Sequence, residues 1–357
     1  MRPLAFDPAS TPTDGLAGAV VAEEVRLDGR RRFHKGHRLT AADLADLPRL
    51  DRVVHLVRLD PGEVHEDEAG LRLARAAAGP RVALRGPVQS RVNLVAETKG
   101  LLRVDREAVI AINSVAGMAL FTLPDRMAVL PGTVLAGAKI TPVAVDGARL
   151  AEAEAIAAGV ATAGDGDDGT TVTERSSGAV VRLEPFRPLC VGVVTTEGLA
   201  DSARERFQAA VRQKVVWFGG DVLGFVDLRD DAARVAAEIE AMVARGADVI
   251  LTGGGNTIDP LDPSLLALPL IGAEMVKFGA AAHPGSMFWL AYMPRAGGDV
   301  PIFNLASCSL YSRATVADLV LPWVFAGERV TLRDLAELGV GGLLDKDAAF
   351  RFPPYGE

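Results

Sequence analysis

The residues best suited to chemistry lie in the stretch "ILTGGGNTIDPLDPSL", residues 250–265. Glycines lack a Cβ atom, so a flat or phosphorylated ligand can lie directly on their backbone NH groups. Carboxylates beside such a backbone can bind a metal ion or accept a hydrogen bond from a ring NH group. The stretch supplies a threonine, three glycines and two aspartates: Thr252, Gly253, Gly254, Gly255, Asp259 and Asp262.

A structural interpretation of the same stretch stays open. The glycines have neither the G-x-G-x-x-G spacing of dinucleotide-binding folds nor the G-K-[ST] ending of a P-loop, and a tight turn would also use them. Asp262 precedes Pro263, an order typical of a helix N-cap followed by proline at the first helical position. Asp259 lies nearer the glycines and is the better candidate for a polar ligand contact or for Mg²⁺.

Two further stretches could hold an anion. "FGAAAHPGSM" contains Gly285 and Ser286, with Lys277 before it as a point charge for phosphate, although a turn and a solvated lysine are the commoner explanations of such residues. "NLASCSLYSRATVADLV" ends a strand and begins a helix, where NH groups and hydroxyls bind anions. Its candidate hydroxyls are Ser307 and Ser309, whereas Cys308 is interpreted as a packed small residue.

Alternating strands and helices must position these residues. "LCVGVVTT", "DVLGFVDL" and "ADVILTGGG" are apolar strands, and "DSARERFQAAVRQKVVWFG" and "DDAARVAAEIEAMVARG" are helices between them. Continuous apolar strands joined by helices predict a mostly parallel, doubly wound α/β sheet. Ligands bind beyond the carboxyl ends of such strands, so Thr195 and Thr196, at the end of the first strand, join the candidates.

The chain divides by composition. Residues 1–162 predict a mixed, strand-rich α/β region, with a helix beginning at Thr40, a helix or strand pair in "DREAVIAINSVAGMALFTLP" and a helix in "LAEAEAIAAGV". The polar, glycine-rich "AGDGDDGTTVTERSSG" predicts a linker over 163–187. The α/β domain is expected over 188–335, followed by a tail over 336–357.

Composition excludes several classes of function. The 357 residues are 49% hydrophobic and 24% charged, with a net charge of −8, which argues against a nucleic-acid partner. The two cysteines form neither a disulfide framework nor a zinc pattern. No apolar signal region or membrane-spanning run is present, so we expect a cytoplasmic protein without membrane association.

The order of motifs in the second half resembles a known family. "GVVTT", "GADVILTGG", "DPLDP", "GAEMVKFG", "PGSM" and "YSRATVADLVLPWVFAGERVT" follow one another as in the molybdopterin-binding domain of molybdenum-cofactor biosynthesis proteins, including molybdopterin molybdenumtransferase and the related gephyrin domain. The resemblance covers residues 187–335. "HKGHRLTAADLADL", "LDPGEVHEDEAG" and "AGAKITPVAV" resemble the N-terminal segments more loosely, and the β-barrel that closes full-length molybdenumtransferases is expected to be missing.

The resemblance implies roles for individual residues. It places Thr195 and Thr196 near the pterin, and it makes Asp259 and Asp262 the catalytic residues and Mg²⁺ ligands. The implied pterin and phosphate contacts are Thr252, Gly253, Gly254, Gly255, Lys277, Gly285, Ser286, Ser307 and Ser309. The sequence departs from the family where Thr196 replaces a glycine and where "NLAS", from Asn304, replaces Gly-Leu-Pro-Gly.

The resemblance also implies a function. The chain would bind molybdopterin or its adenylylated form with Mg²⁺ and promote molybdate insertion, as a transferase. Alternatively, it would be a non-catalytic carrier that delivers finished cofactor to a client molybdoenzyme. A nucleotide-dependent oxidoreductase or transferase on a similar sheet is the third hypothesis. A homodimer is expected, as is common among such proteins.

Overall fold

The structure, a computed structural model, describes residues 1–88, 90–141, 143–160, 179–196, 201–228, 231–253, 259–305, 314–344 and 346–356. The chain forms two compact units. Unit one comprises Met1–Thr98, Leu102–Asp125 and Leu130–Leu183, and unit two comprises Lys99–Leu101, Arg126–Val129 and Glu184–Glu357. Part of the predicted linker forms a strand, Val181–Glu184, and residues 161–178 lie outside the described residues.

The elements up to residue 184 are mixed and rich in strands, as the sequence predicts. In chain order they are β1 (Arg2–Phe6), β2 (Val20–Val21), β3 (Val25–Leu27), β4 (Arg30–Phe33), β5 (Val54–Arg58), β6 (Glu63–His65), α1 (Glu66–Ala77), β7 (Val82–Val88), β8 (Arg91–Ala96), β9 (Gly100–Val104), α2 (Arg106–Ser114), β10 (Met118–Thr122), β11 (Ala128–Val129), β12 (Val134–Ile140), β13 (Ala144–Asp146), α3 (Gly147–Ala157) and β14 (Val181–Glu184).

Unit one is built around a four-stranded antiparallel sheet with the order β10-β12-β8-β7. Helix α1 packs on β12, β8 and β7, and α2 packs on β10. Aspartate caps begin two of the helices: the carboxylate of Asp105 accepts a hydrogen bond from the Ala108 NH group, and that of Asp146 accepts one from Ala148. The helix expected at Thr40 is only a 3₁₀ turn, Asp43–Ala45.

The later elements alternate in the predicted α/β pattern. They are β15 (Cys190–Thr195), α4 (Asp201–Trp217), β16 (Asp221–Asp227), α5 (Ala232–Ala244), β17 (Val249–Gly253), α6 (Pro263–Ala267), β18 (Glu274–Phe278), β19 (Trp289–Met293), β20 (Val300–Leu305), α7 (Val316–Phe325) and α8 (Leu332–Glu337). Short 3₁₀ helices cover Pro269–Ile271 and Lys346–Arg351.

One six-stranded sheet organises unit two, with the order β16-β15-β17-β20-β19-β18. Strands β16, β15, β17 and β20 are parallel, whereas β19 is antiparallel to β20 and β18 is antiparallel to β19. Two reversals give β18 the direction of β20. The carboxyl ends of β15, β17, β20 and β18 therefore lie along one edge of the sheet, here called the carboxyl edge.

Helices cover both faces of this sheet. Val194, Ile250 and Ile302 form a buried core with Ile239 and Met242 of α5. Successive side chains of a strand point to opposite faces, so Val193, Thr195 and Gly253 face the other way, where Gly253 lies against Phe207 of α4. The fold is thus α/β, with a mostly parallel, doubly wound sheet after a strand-rich region. Within the described ranges, none of the helices has the length and apolar character to cross a membrane.

Candidate functional site

Four predicted site residues meet at the carboxyl edge. Thr195 pairs with Gly253 in the register of β15 and β17, and Val194 pairs with Thr252. The pairing continues past the end of β15, because the Thr196 NH group donates to the Gly253 carbonyl at 3.1 Å. The structure therefore brings Thr195, Thr196, Thr252 and Gly253 together at the ends of two neighbouring parallel strands, the usual position of a ligand site in such sheets.

Thr196 and Thr252 carry the least satisfied polar atoms of this edge. Their side chains are 3% and 1% exposed. Thr196 lies two residues beyond Val194, the partner of Thr252, so both side chains lie on the same face of the sheet. Among the described residues neither Oγ1 atom has a hydrogen-bond partner. Buried hydroxyls are normally bonded, so two hydroxyls on one face of adjacent strands, without a partner among the described residues, suit a ligand that would supply the missing bonds.

Asn304 lies beside Thr252 on the next strand and has a structural role. It is completely buried. Its Oδ1 atom accepts a hydrogen bond from the Trp289 NH group at 2.6 Å, and its Nδ2 atom donates to the Met287 carbonyl at 2.9 Å. The amide thus joins β20 to the beginning of β19 and stabilises the loop along the carboxyl edge.

Asp227 and Arg204 form a polar pair that the sequence analysis missed. The Thr195 hydroxyl donates to Asp227 Oδ1 at 3.1 Å, and Arg204 Nη2 lies 3.1 Å from Asp227 Oδ2. Asp227 ends β16, directly beside the end of β15. The sequence signal that could have identified Asp227 is its position as an acidic residue at the end of an apolar strand. The pair puts a positive and a negative charge on the face opposite Thr252.

The missing Cβ atom of Gly253 is explained by packing. A Cβ atom there would lie 2.9 Å from Cζ of Phe207 and 3.4 Å from Cγ2 of Thr195. A Cβ atom at this position would therefore have to displace the Phe207 ring. Gly254 and Gly255 lie outside the described residues, so the cradle expected from three glycines is a prediction for those two.

Asp262 and Asp259 begin α6. Asp262 is buried, and its Oδ1 atom accepts a hydrogen bond from the Ser264 NH group at 2.8 Å, which confirms the N-cap interpretation with Pro263 at the first helical position. Asp259 is half-buried, and its Oδ1 atom accepts from the Leu261 NH group at 2.9 Å. Both carboxylates therefore bind backbone NH groups of their own segment.

The described residues do not fit a metal centre at these aspartates. Across the described ranges, no group of three or more His, Cys, Asp or Glu side chains could hold a metal ion. A Mg²⁺ ion would thus need ligands from outside those ranges or from a bound phosphate. The hydroxyls of Thr196 and Thr252, which have no partner among the described residues, are suited instead to a polar ligand.

The loop after β18 also lies on the carboxyl edge, because it connects β18 to β19. Gly285 has a φ of +111°, and a Cβ atom there would lie 2.6 Å from the Val316 nitrogen at the beginning of α7. The exposed Ser286 accepts a hydrogen bond from Ala280 through its carbonyl at 2.9 Å. Gly285 therefore lies against the first turn of α7, whereas Ser286 bonds within its own loop.

Lys277 is on the edge strand of the sheet, away from Thr252. The register runs from Lys277 to Leu290, Phe303 and Leu251, one residue on each of four adjacent strands. Neighbouring strands are about 4.8 Å apart, so its Cα atom lies roughly 14 Å from β17. Ser307, Ser309 and Cys308 lie outside the described residues.

A cleft of about 450 Å³ borders the same loop. Residues 280–283 and 286 form one wall, and residues 339 and 341–343 form the other. The two walls are joined by hydrogen bonds from the His283 NH group to the Gly342 carbonyl at 2.8 Å and from the Leu344 NH group to the His283 carbonyl at 2.7 Å. The carboxyl edge thus has an open, largely backbone-lined hollow at one end.

Comparison with known proteins gave matches only among solved structures. No family model and no curated protein matches the chain. The chain is similar to the tungsten cofactor synthesizing protein MoaB from Pyrococcus furiosus, at 17% identity and a TM-score of 0.33, over 39% of this chain and 94% of that one. It is also similar to a molybdenum cofactor biosynthesis protein B, at 19% identity and a TM-score of 0.32, over 39% and 92%. A third is a putative molybdenum cofactor biosynthesis protein from Corynebacterium diphtheriae, at 15% identity and a TM-score of 0.28, over 40% and 99%.

Proposed function

We propose that this chain binds molybdopterin in molybdenum-cofactor biosynthesis and promotes insertion of molybdate into molybdopterin or its adenylylated form. One observation carries the proposal: Thr196 and Thr252, which the sequence resemblance assigns to the pterin, meet at the carboxyl edge as buried hydroxyls without a partner among the described residues. A pterin ring presents donors and acceptors on a flat edge, and it can satisfy both hydroxyls where two strands end.

The remaining proposed contacts extend along the same edge. Gly254, Gly255, Ser307 and Ser309 are proposed to hold the pterin and its phosphate through backbone NH groups and hydroxyls, and Gly285 and Ser286 would close the site from the loop before β19. Asp259 is proposed to contact the ligand or Mg²⁺, since it is the less buried of the two aspartates. The protein is proposed to work in the cytoplasm as a homodimer, with a molybdoenzyme as client.

A carrier function is the second candidate. The bond of Asp262 to its own helix and the absence of a three-residue metal cluster among the described residues favour binding without catalysis. A carrier binds finished cofactor and does not accelerate molybdate incorporation. The two functions therefore differ in rate and not in affinity.

The test begins with protein purified anaerobically from cells that make molybdopterin. The protein is denatured, the extract is oxidised, the fluorescent pterin derivative is quantified, and molybdenum is measured by mass spectrometry. Pterin without molybdenum supports a synthesis intermediate as ligand, and pterin with molybdenum supports the carrier or a product-bound insertase. Incubation with molybdate then separates these two, because only an insertase incorporates the metal faster than the buffer control.

The decisive comparison uses the double variant T196V/T252V. It keeps the shape of both side chains and removes both hydroxyls, so the pterin content should fall while the protein stays folded. Absence of pterin from repeated wild-type preparations that also fail to bind added molybdopterin would overturn the proposal.

A further inference from the structure

The four-stranded sheet of unit one is covered by helices on one face and exposed at one end of the other face. Its alternate residues, such as Val92, Leu94, Leu120 and Ala138, are buried on the side of α1 and α2. The residues between them point to the other side, which is solvent-exposed at Phe121 (44%) and at Arg85 and Arg91. A sheet with one covered and one open face is ordinary, but large apolar and charged groups gathered on the open face indicate an interaction surface.

One register row crosses all four strands of this face. Phe121 of β10 pairs with Gly137 of β12, Gly137 with Asn93 of β8, and Asn93 with Arg85 of β7. A Cβ atom on Gly137 would lie 2.4 Å from Cε2 of Phe121, so the ring rests directly on the bare backbone of β12. Glycine at this position therefore serves to hold an exposed aromatic ring flat against the sheet.

Arg91 is held in place beside that ring. Its Nε atom donates to Asn93 Oδ1 at 2.8 Å, and its Cζ atom lies 5.4 Å from the centroid of Phe121. Cation–π stacking and the Asn93 bond both restrict a side chain that is otherwise flexible. The guanidinium is thus ordered in advance on an exposed side chain. Arg85, across from Asn93, lies diagonally from Arg91, about 7–8 Å away between Cα atoms.

Among the described residues, neither arginine has a carboxylate partner. Within the described ranges, Arg85 and Arg91 form no ion pair, whereas other arginines of the unit do, including Arg32 with Asp46, Arg72 with Glu154 and Arg103 with Asp125. Two uncompensated guanidinium groups on one face stand out in a chain with a net charge of −8. The planar fork of arginine matches a carboxylate, which it binds through two parallel hydrogen bonds.

We propose that this open face binds an acidic segment of a partner protein, with Arg91 and Arg85 as the carboxylate contacts and Phe121 as the apolar contact. A short acidic protein segment suits the face better than a nucleic acid, because two neighbouring arginines match one or two carboxylates, whereas a nucleic-acid interface uses a broad basic patch. The inference does not depend on the proposed function, since every residue in it belongs to the four-stranded sheet.

The test uses the full chain and fluorescein-labelled octaglutamate, with octaglutamine as the uncharged counterpart and oligodeoxythymidine as the competing polyanion. Fluorescence anisotropy at low salt should show binding of octaglutamate and not of octaglutamine. R91Q and R85Q should each weaken it about fivefold to tenfold, as expected for loss of a charge-assisted contact. R91K keeps the charge and loses the fork, so it should also weaken binding.

Arg75→Gln is the matched control, because Arg75 is exposed on α1 and its loss changes the net charge equally. The inference is overturned if R75Q weakens binding as much as R91Q does, or if octaglutamate does not bind at millimolar concentration. Tighter binding of oligodeoxythymidine, or R91Q-sensitive self-association in sedimentation velocity, would also overturn it by assigning the face to a nucleic acid or to a second copy. Circular dichroism confirms that each exposed-site variant is folded.

Discussion

At the scale of single residues, the hydroxyl of Thr252 is the sharpest probe of the carboxyl edge. Its neighbour Thr195 differs in one respect, since the Thr195 hydroxyl donates to Asp227 at 3.1 Å while Thr252 Oγ1 has no partner among the described residues. The two threonines belong to adjacent strands and are both buried. A buried hydroxyl without a partner destabilises the ligand-free protein, whereas a hydrogen-bonded hydroxyl stabilises it.

Thr252→Val should therefore leave the free energy of unfolding unchanged or raise it by about 1 kcal/mol, because an unsatisfied group is removed. Pterin binding should weaken about fivefold, which corresponds to about 1 kcal/mol. Thr195→Val is the contrast: it should lower the free energy of unfolding by about 1 kcal/mol. Urea unfolding measures the free energy of unfolding of each variant, and fluorescence titration measures its affinity for pterin. A Thr252→Val variant with full affinity and lower stability would show that the hydroxyl has only a structural role.

Variants of Asp259 and Asp262 distinguish helix capping from a role in ligand binding. Asp262→Ala should lower the free energy of unfolding by about 1 kcal/mol, and Asp262→Asn should change it little, because asparagine is an equally good N-cap. Asp259→Asn should keep its turn bond and reduce molybdate incorporation if the carboxylate contacts ligand or ion. Unfolding midpoints and incorporation rates are compared for the three variants. Full activity in Asp259→Asn would remove Asp259 from the proposed site.

At the scale of elements, periodicity and caps in the sequence predict much of unit two. The strands β15, β16 and β17 and the helices α4 and α5 all lie within the predicted stretches, because continuous apolar strands and amphipathic helices leave a local signal. The hydrogen bonds of Asn304 to the backbone of Met287 and Trp289 left no local signal, since they join residues 17 and 15 positions apart. Likewise, the contact between Thr195 and Asp227 can be predicted only once the strand order is known, because the two residues belong to different strands.

The loop before β19 gives a prediction at this scale. Gly285→Ala places a Cβ atom 2.6 Å from the Val316 nitrogen at a φ of +111°. Backbone strain alone costs roughly 1–3 kcal/mol, and the clash with α7 adds to it. Gly297→Ala is the matched control, because Gly297 also has a positive φ, +91°, but nothing lies within 4 Å of the added atom.

Thermal unfolding should show a clearly larger loss of stability for Gly285→Ala than for Gly297→Ala. Pterin binding should fall in the first variant only, since its loop lies on the carboxyl edge. Equal losses in stability would mean that the contact with α7 contributes nothing and that strain explains both.

At the scale of the whole molecule, the C-terminal residues are anchored to the core of unit two. The Tyr355 hydroxyl donates to Asp318 Oδ1 at 2.9 Å, and Lys214 Nζ lies 2.6 Å from the same oxygen. Asp318 is fully buried at the beginning of α7, and the ring of Tyr355 also packs edge-to-face against Trp217. The predicted tail therefore contributes to the packing, which length and composition alone could not indicate.

This contact predicts a response to alkaline pH. Burial of the hydroxyl, with the charge of Asp318 beside it, raises the pKa of Tyr355 well above 10. In the unfolded chain the hydroxyl ionises near pH 10, so above that pH the unfolded state loses a proton that the folded state retains, and stability falls. Tyr355→Phe has no hydroxyl to ionise at this position, so it lacks this fall in stability. The difference in stability between wild type and Tyr355→Phe, measured by urea unfolding, should favour wild type at pH 8 and shrink steadily above pH 10. A constant difference would contradict the assignment.

The reversal of β19 leaves the hairpin between β19 and β20 at the amino edge of the sheet, across from Thr196 and Thr252. Gly297 and Gly298, at its tip, have no neighbouring atom within 4 Å of an added Cβ. Such a tip accepts inserted residues readily. A short tag for dye attachment could therefore be introduced at this tip. Ligand-induced changes could then be followed by fluorescence on immobilised molecules, without a label on the carboxyl edge.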